Sequence, residues 1–195
     1  MRNTSITRAT KETSIQVSLN LDGRGIYQNQ TGIGFFDHML DGFAKQTMFD
    51  LSVTAQGDLQ VDQHHTVEDT GICLGKALKQ ALGDGRGIVR YGSSILPMDD
   101  ALMLVSLDLS GRGFLGFDVP MPTEKVGDFD TELVKEFFLG LVRGGELTLH
   151  IRKLAGENTH HIIECIFKAF GRALDEACRI NAARADEIPS TKGSL

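Results

Sequence analysis

The sequence predicts an internally duplicated α/β (α+β) fold: two half-domains of like element order within one domain of 195 residues. Three observations predict it. His64-His65-Thr66-Val67-Glu68 returns 96 positions later as His160-His161-Ile162-Ile163-Glu164. Val17-Ser18-Leu19-Asn20-Leu21-Asp22-Gly23-Arg24-Gly25 is echoed at an offset of 88 by Val105-Ser106-Leu107-Asp108-Leu109-Ser110-Gly111-Arg112-Gly113, with seven of nine positions identical. Both offsets lie close to half the chain, and Gly83-Asp84-Gly85-Arg86-Gly87 marks a seam between them. A repeat of this size sets the architecture before any local reading, with units of about 1–90 and 91–195.

Each half reads as strand, turn, strand, helix, strand, strand, helix. The two echoes alternate apolar and polar residues and then meet glycine, as a strand does on running into a turn. In the first half, Ile33 to Lys45 reads as a helix entered at Asp37. Leu51 to Ala55 and Leu59 to Val61 read as a hairpin around Gln56-Gly57-Asp58, and Thr66 to Leu82 as a second helix. In the second half, Thr131 to Val142 is a helix, Leu147 to Ile151 a strand and Ile162 to Cys178 a long helix with a continuous apolar face. Arg184 to Leu195 is polar and holds one proline, a composition that by itself reads as a frayed tail.

Composition narrows the function. At 41% hydrophobic residues the chain can bury a core, and a net charge of −6 lacks the basic footprint of a nucleic-acid binder. No apolar run is long enough for a transmembrane helix, and the first residues lack the apolar stretch of a signal peptide. Cys73, Cys165 and Cys178 are odd in number and sit in apolar helical segments. They read as buried free thiols, which fits a cytoplasmic protein.

The chemistry lies in the doubled motif, which takes four of the six histidines. Each copy falls where a strand gives way to a helix, which puts the second His and the Glu at i, i+3 on one face. The side chains of adjacent histidines diverge, so each pair feeds two different ions more naturally than one. Imidazole and carboxylate without thiolate suit manganese, iron or zinc. His38 in Phe36-Asp37-His38-Met39-Leu40 and Glu136 are weaker candidates, and His150 reads as an ordinary strand histidine.

At these residues the chain resembles the imidazoleglycerol-phosphate dehydratase family of histidine biosynthesis. The resemblance runs from Arg8-Ala9-Thr10-Lys11-Glu12-Thr13, through Phe36-Asp37-His38-Met39-Leu40-Asp41, Gly57-Asp58 and His64-His65-Thr66-Val67-Glu68-Asp69. It continues with Arg90-Tyr91-Gly92, Pro97-Met98-Asp99, Asp108-Leu109-Ser110-Gly111-Arg112, Phe129-Asp130-Thr131-Glu132-Leu133 and Asn158-Thr159-His160-His161-Ile162-Ile163-Glu164. It ends in Pro189-Ser190-Thr191-Lys192-Gly193. It implies half-domains of the ribosomal S5 domain 2-like kind, each a four-stranded sheet with two helices packed on one face. It also implies a 24-subunit shell of trimers and two Mn2+ ions per active site at subunit contacts. The ligands it implies are His38, His64, His65, Glu68, His160, His161 and Glu164. Glu136 is a further ligand position, where many members have His. Arg90, Arg112, Lys168, Ser190 and Lys192 match the phosphate-binding positions, so the tail would order over the phosphate. Gln46 stands where the family usually has His near that phosphate, and can donate a hydrogen bond but no charge.

The reaction so implied is a dehydration. D-erythro-imidazole glycerol phosphate loses the hydroxyl beside its ring and a proton from the next carbon, giving imidazole-acetol phosphate. Holding the ring as imidazolate favours expulsion of hydroxide, and the resulting diazafulvene acidifies the adjacent C–H. Glu12 is the first choice of base by family position, with Glu68 and Glu164 as alternatives. Two other readings of the His/Glu pattern stay open: a dinuclear metallohydrolase and a metal-cemented assembly scaffold.

Overall fold

The computed structural model describes residues 2–195 and shows the duplication directly. The first half holds strands β1 (Asn3–Ala9), β2 (Thr13–Asn20) and β3 (Tyr27–Gln30), helix α1 (Gly34–Thr47), strand β4 (Asp50–Gly57) and helix α2 (His64–Leu82). The second repeats that order as β5 (Tyr91–Met98), β6 (Ala101–Asp108), β7 (Phe114–Asp118), α3 (Leu133–Gly145), β10 (Thr148–Ala155) and α4 (Thr159–Cys178). Between β7 and α3 it inserts a small hairpin of β8 (Lys125–Val126) and β9 (Phe129–Asp130).

The sheets are β1-β2-β4-β3 and β5-β6-β10-β7, the same order twice. In each, the last strand pairs parallel to its neighbour and the others are antiparallel. Strict alternation explains this: Ile15, Val17 and Leu19 on β2 and Met103, Val105 and Leu107 on β6 are buried, with partly or fully exposed residues between them. One face of each sheet therefore takes helices.

The helices cross the repeat boundary. α2 lies on its own sheet but packs most extensively on α3, and α4 lies on its own sheet and packs on α1. The α2–α3 contact is backbone against backbone. A Cβ on Gly71 would stand 2.2 Å from the Phe137 carbonyl oxygen, and one on Gly140 would stand 2.4 Å from that of Glu68. Around this crossing Phe36, Phe137, Phe138, Phe167 and Phe170 form an edge-to-face and stacked cluster with members from both halves. Each of these buried rings contributes about 1.5–3 kcal/mol of apolar burial.

Three expectations need correction. The hairpin expected around residues 56–58 does not form. β4 instead runs on to Gly57 between β2 and β3, and the chain turns directly into α2. Gly57 lies against the Thr66 side chain, so the chain folds back at once, and Val61 is left 65% exposed with no face to bury. Each half places three strands of its four-stranded sheet before its first helix. The helix starts also move: α2 begins at His64 and α4 at Thr159, so all four paired histidines are helical. Asp62 accepts the His64 N–H and Asn158 the His161 N–H, which fixes both starts. Finally, the tail docks. The Glu187 carbonyl accepts the Gly87 N–H, and Leu195 lies against Gly85 and Gly111. Cys73, Cys165 and Cys178 are free and buried, as expected.

The glycine crossing makes a paired prediction. Gly71→Ala should destabilise the protein by about 1–3 kcal/mol, because only backbone stands in the way. Gly42→Ala, in a helical position with open space around it, should stabilise by about 0.5–1 kcal/mol. Thermal denaturation of both variants checks the two signs.

Candidate active site

His38 on α1 and His160 and Glu164 on α4 bring one donor atom each to within 4.8 Å of one another. Glu164 Oε2 is 3.3 Å from His160 Nε2 and 3.8 Å from His38 Nε2. Two ligands about 2.1 Å from a common ion lie roughly 3–3.5 Å apart, so this spacing and this donor set fit a divalent cation. Phe35 stacks edge-on against the His160 ring and walls one side. Burial pushes the Glu164 carboxyl upward, but the Lys168 ammonium 2.7 Å away, with His38 and His160, outweighs it and holds it below its ordinary value.

The related pair in the first half is His64 and Glu68, 3.9 Å apart, with Arg143 on Glu68 where Lys168 lies on Glu164. Glu136 stands one turn before Gly140 on α3, at the same end of the α2–α3 pair, but joins no three-donor group among the described residues. In both motifs the ion-pairing histidine is the first, at i, i+4 from the glutamate, not the second at i, i+3. The cause is the earlier helix start.

The second histidine of each motif points elsewhere, with its ring at 83° and 78° to the first. His65 Nδ1 lies 3.0 Å from Asp58 Oδ2, and His161 Nδ1 lies 2.7 Å from Asp100 Oδ1. A carboxylate holding the Nδ1 proton leaves Nε2 with a free lone pair, the arrangement that orients metal-binding histidines. His65 Nε2 faces Glu12 at 4.0 Å, and His161 Nε2 faces Asp99 at 3.6 Å. The hydrogen bond that its ring donates to Asp58 raises the His65 pKa. Asp100 is held well below the carboxylate range by the N–H groups of Asn158 and Glu157 and by His161. Asp58 lies within a family motif and Asp100 directly follows one, and nothing in the spacing of either sequence signals a histidine partner. His150 stands apart, stacked on Phe114.

The phosphate-binding candidates divide into two groups. Arg90 is bound to Asp108 at 2.7 Å and donates to the Pro189 carbonyl at 2.8 Å, which ties it to the tail beside Ser190 and Lys192. Arg112 follows Gly111, on which the end of the tail rests. Lys168 lies instead against Glu164 and Met98. Arg90 precedes β5 and Met98 ends it, so eight extended residues, roughly 25 Å, separate the groups. Gln46 stands two turns beyond His38 on α1, against Gly171 of α4.

The imidazoleglycerol-phosphate dehydratase family profile matches residues 31–174. The chain belongs to the imidazoleglycerol-phosphate dehydratase family. It is 62% identical over 195 residues, the whole of both chains, to the imidazoleglycerol-phosphate dehydratase of Roseobacter denitrificans. It is 60% identical over 190 residues to that of Pelotomaculum thermopropionicum, covering 97% of this chain and 96% of the relative. The crystal structure of the Pyrococcus furiosus enzyme superposes with a TM-score of 0.85 at 41% identity, over 97% of this chain and all of the other. The Staphylococcus aureus enzyme gives 0.83 at 42%, over 91% and 98%. The activity is that of a hydro-lyase of histidine biosynthesis, and the two-sheet duplicated fold is the family's.

In metal-free protein, His65 should titrate above the ordinary histidine value, near 6.5. A raised folded-state pKa gives stabilisation that is full below the unfolded value and is lost as pH rises through the folded one. Asp58→Asn should return His65 toward the ordinary value, read by NMR titration of its ring proton. An unchanged midpoint would remove Asp58 as the cause.

Proposed function

We propose that the chain dehydrates imidazole glycerol phosphate with two manganese ions per site, in a centre completed where subunits meet. The observation that carries this reading is the His38, His160 and Glu164 group, assembled from both halves and of a spacing that suits one ion. His64, Glu68 and Glu136 would supply a second set, and His65 and His161, aimed away from their neighbours, would serve ions shared with another subunit. The ions would supply Lewis acidity that favours the ring's anionic form.

The remaining work falls to side chains. Glu12, exposed at the β1–β2 turn and 4.0 Å from His65 Nε2, is placed to take the carbon-bound proton, with Glu68 and Glu164 engaged by cations instead. Arg90, Arg112, Lys168, Ser190 and Lys192 would bind the phosphate, and Gln46 would add a neutral contact. Their separation by roughly 25 Å within a chain supports their coming from two subunits, as in a 24-subunit shell of trimers. Among the described residues no helix is long and apolar enough to cross a membrane, and we place the enzyme in the cytoplasm.

Manganese-loaded protein given imidazole glycerol phosphate should form imidazole-acetol phosphate without releasing inorganic phosphate. Failure with an intact, metal-loaded oligomer would sink the proposal, and phosphate release would favour the hydrolase. His160→Ala should lower kcat by roughly a hundredfold or more and reduce bound metal, measured by elemental analysis.

A further inference from the structure

We propose that Asp69 is a positioning residue for Glu12, acting through the hydroxyls of Thr13 and Thr10. The inference rests on the assignment of Glu12 as the proton acceptor. Asp69 is buried on α2, beneath the turn that carries Glu12. Its carboxylate accepts the Thr13 hydroxyl at 2.5 Å and an Arg8 N–H at 2.8 Å. A carboxylate only accepts, so the single Thr13 proton is committed to it. Thr13 Oγ1 then accepts from Thr10 Oγ1 at 3.3 Å, and Thr10 Oγ1 accepts the backbone N–H of Glu12 at 3.1 Å and of Thr13 at 3.0 Å. The Thr10 hydroxyl, also 3.4 Å from the Thr13 carbonyl, shares its one proton between the two Thr13 oxygens, so the contacts run from the Glu12 backbone through two hydroxyls to Asp69.

The duplication supplies a control within the same molecule. At the strand offset of 88, Arg8 corresponds to Leu96 and Thr13 to Ala101. At the motif offset of 96, Asp69 corresponds to Cys165. There the Cys165 thiol donates to the Leu96 carbonyl at 3.1 Å, and Ala101 is buried without a polar partner. The same packing position is therefore filled by Leu, Ala and Cys in one half and by Arg, Thr and Asp in the other. The fold does not require the charged version, and a buried ion pair is on average no more stabilising than apolar groups of like volume. What differs above it is the turn. The two turns are of equal length, but Thr10-Lys11-Glu12 in the first half stands where the second has Met98-Asp99-Asp100. The polar triad tethers the turn of the first half, whose glutamate must stay within reach of the substrate carbon. A displacement of about 1 Å at such a group can cost up to a hundredfold in rate.

Thr13→Val removes the relay hydroxyl while keeping the shape. In the metal-loaded oligomer, kcat should fall about tenfold with KM within about twofold and metal content unchanged, and Thr13→Ser should recover most of the loss. In a Glu12→Gln background, Thr13→Val should change kcat by less than about twofold, because the group it positions is gone. Thr10→Val, in the exposed turn, tests the same chain from its other end without touching the core. An impaired Glu12→Gln beside fully active Thr13→Val and Thr10→Val variants overturns the positioning role alone, and so does a Thr13→Val loss of the same size in the Glu12→Gln background. A fully active Glu12→Gln variant overturns the base assignment and the positioning role with it.

Discussion

The helix crossings between the two halves hold the rest of the structure together. α2 packs on α3 and α4 on α1, so every helix that carries a His-His motif is braced by a helix of the opposite repeat. The α2–α3 pair meets through glycine, with backbone against backbone. The aromatic cluster fills the space beside it. His38 reaches His160 and Glu164 only because α1 lies along α4, and neither half alone could form that group. The duplicated sheets are the frame, and the crossed helices make a site of it.

Within each motif, helix geometry explains why adjacent histidines behave differently. Successive residues are set about 100° apart around the axis, so the first imidazole turns toward the glutamate one turn on and the second turns toward an aspartate outside the helix. Asp58 and Asp100 come from different local contexts, a turn after β4 and the β5–β6 turn, yet each holds the same ring nitrogen. The two halves reached one geometry with different residues. At Asp69 and Cys165 they did the reverse, keeping one packing position and giving it different chemistry.

Much of this was legible in the residues. Repeats at matching offsets carry the architecture, because duplicated sequence folds into duplicated structure. The apolar faces of the four helices carry their existence, though not their ends. α4 starts at the Asn158 cap and α2 starts just after Asp62 accepts the His64 N–H, and with those starts the first histidine of each motif meets the glutamate. Leu59 and Val61 looked like a strand because local alternation says nothing about whether a partner edge is free. The tail looked frayed because its polar composition hides that Arg90 binds the Pro189 carbonyl. Contacts spanning 61 positions, such as Arg8 with Asp69, leave no local trace, and only comparison of the two halves shows that they are unusual.

A crossing without side chains between the helices also has no soft coordinate. Side-chain contacts can yield by changing rotamer, whereas two backbones in contact can only slide by a full ridge. The donor atoms at the helix starts therefore inherit a nearly fixed spacing, and an ion that prefers a different one cannot recruit the protein to adapt. For an ion held as proposed by His64 and Glu68, discrimination among metals of similar charge would then be a property of the α2–α3 scaffold, set by the smallest residues in the chain.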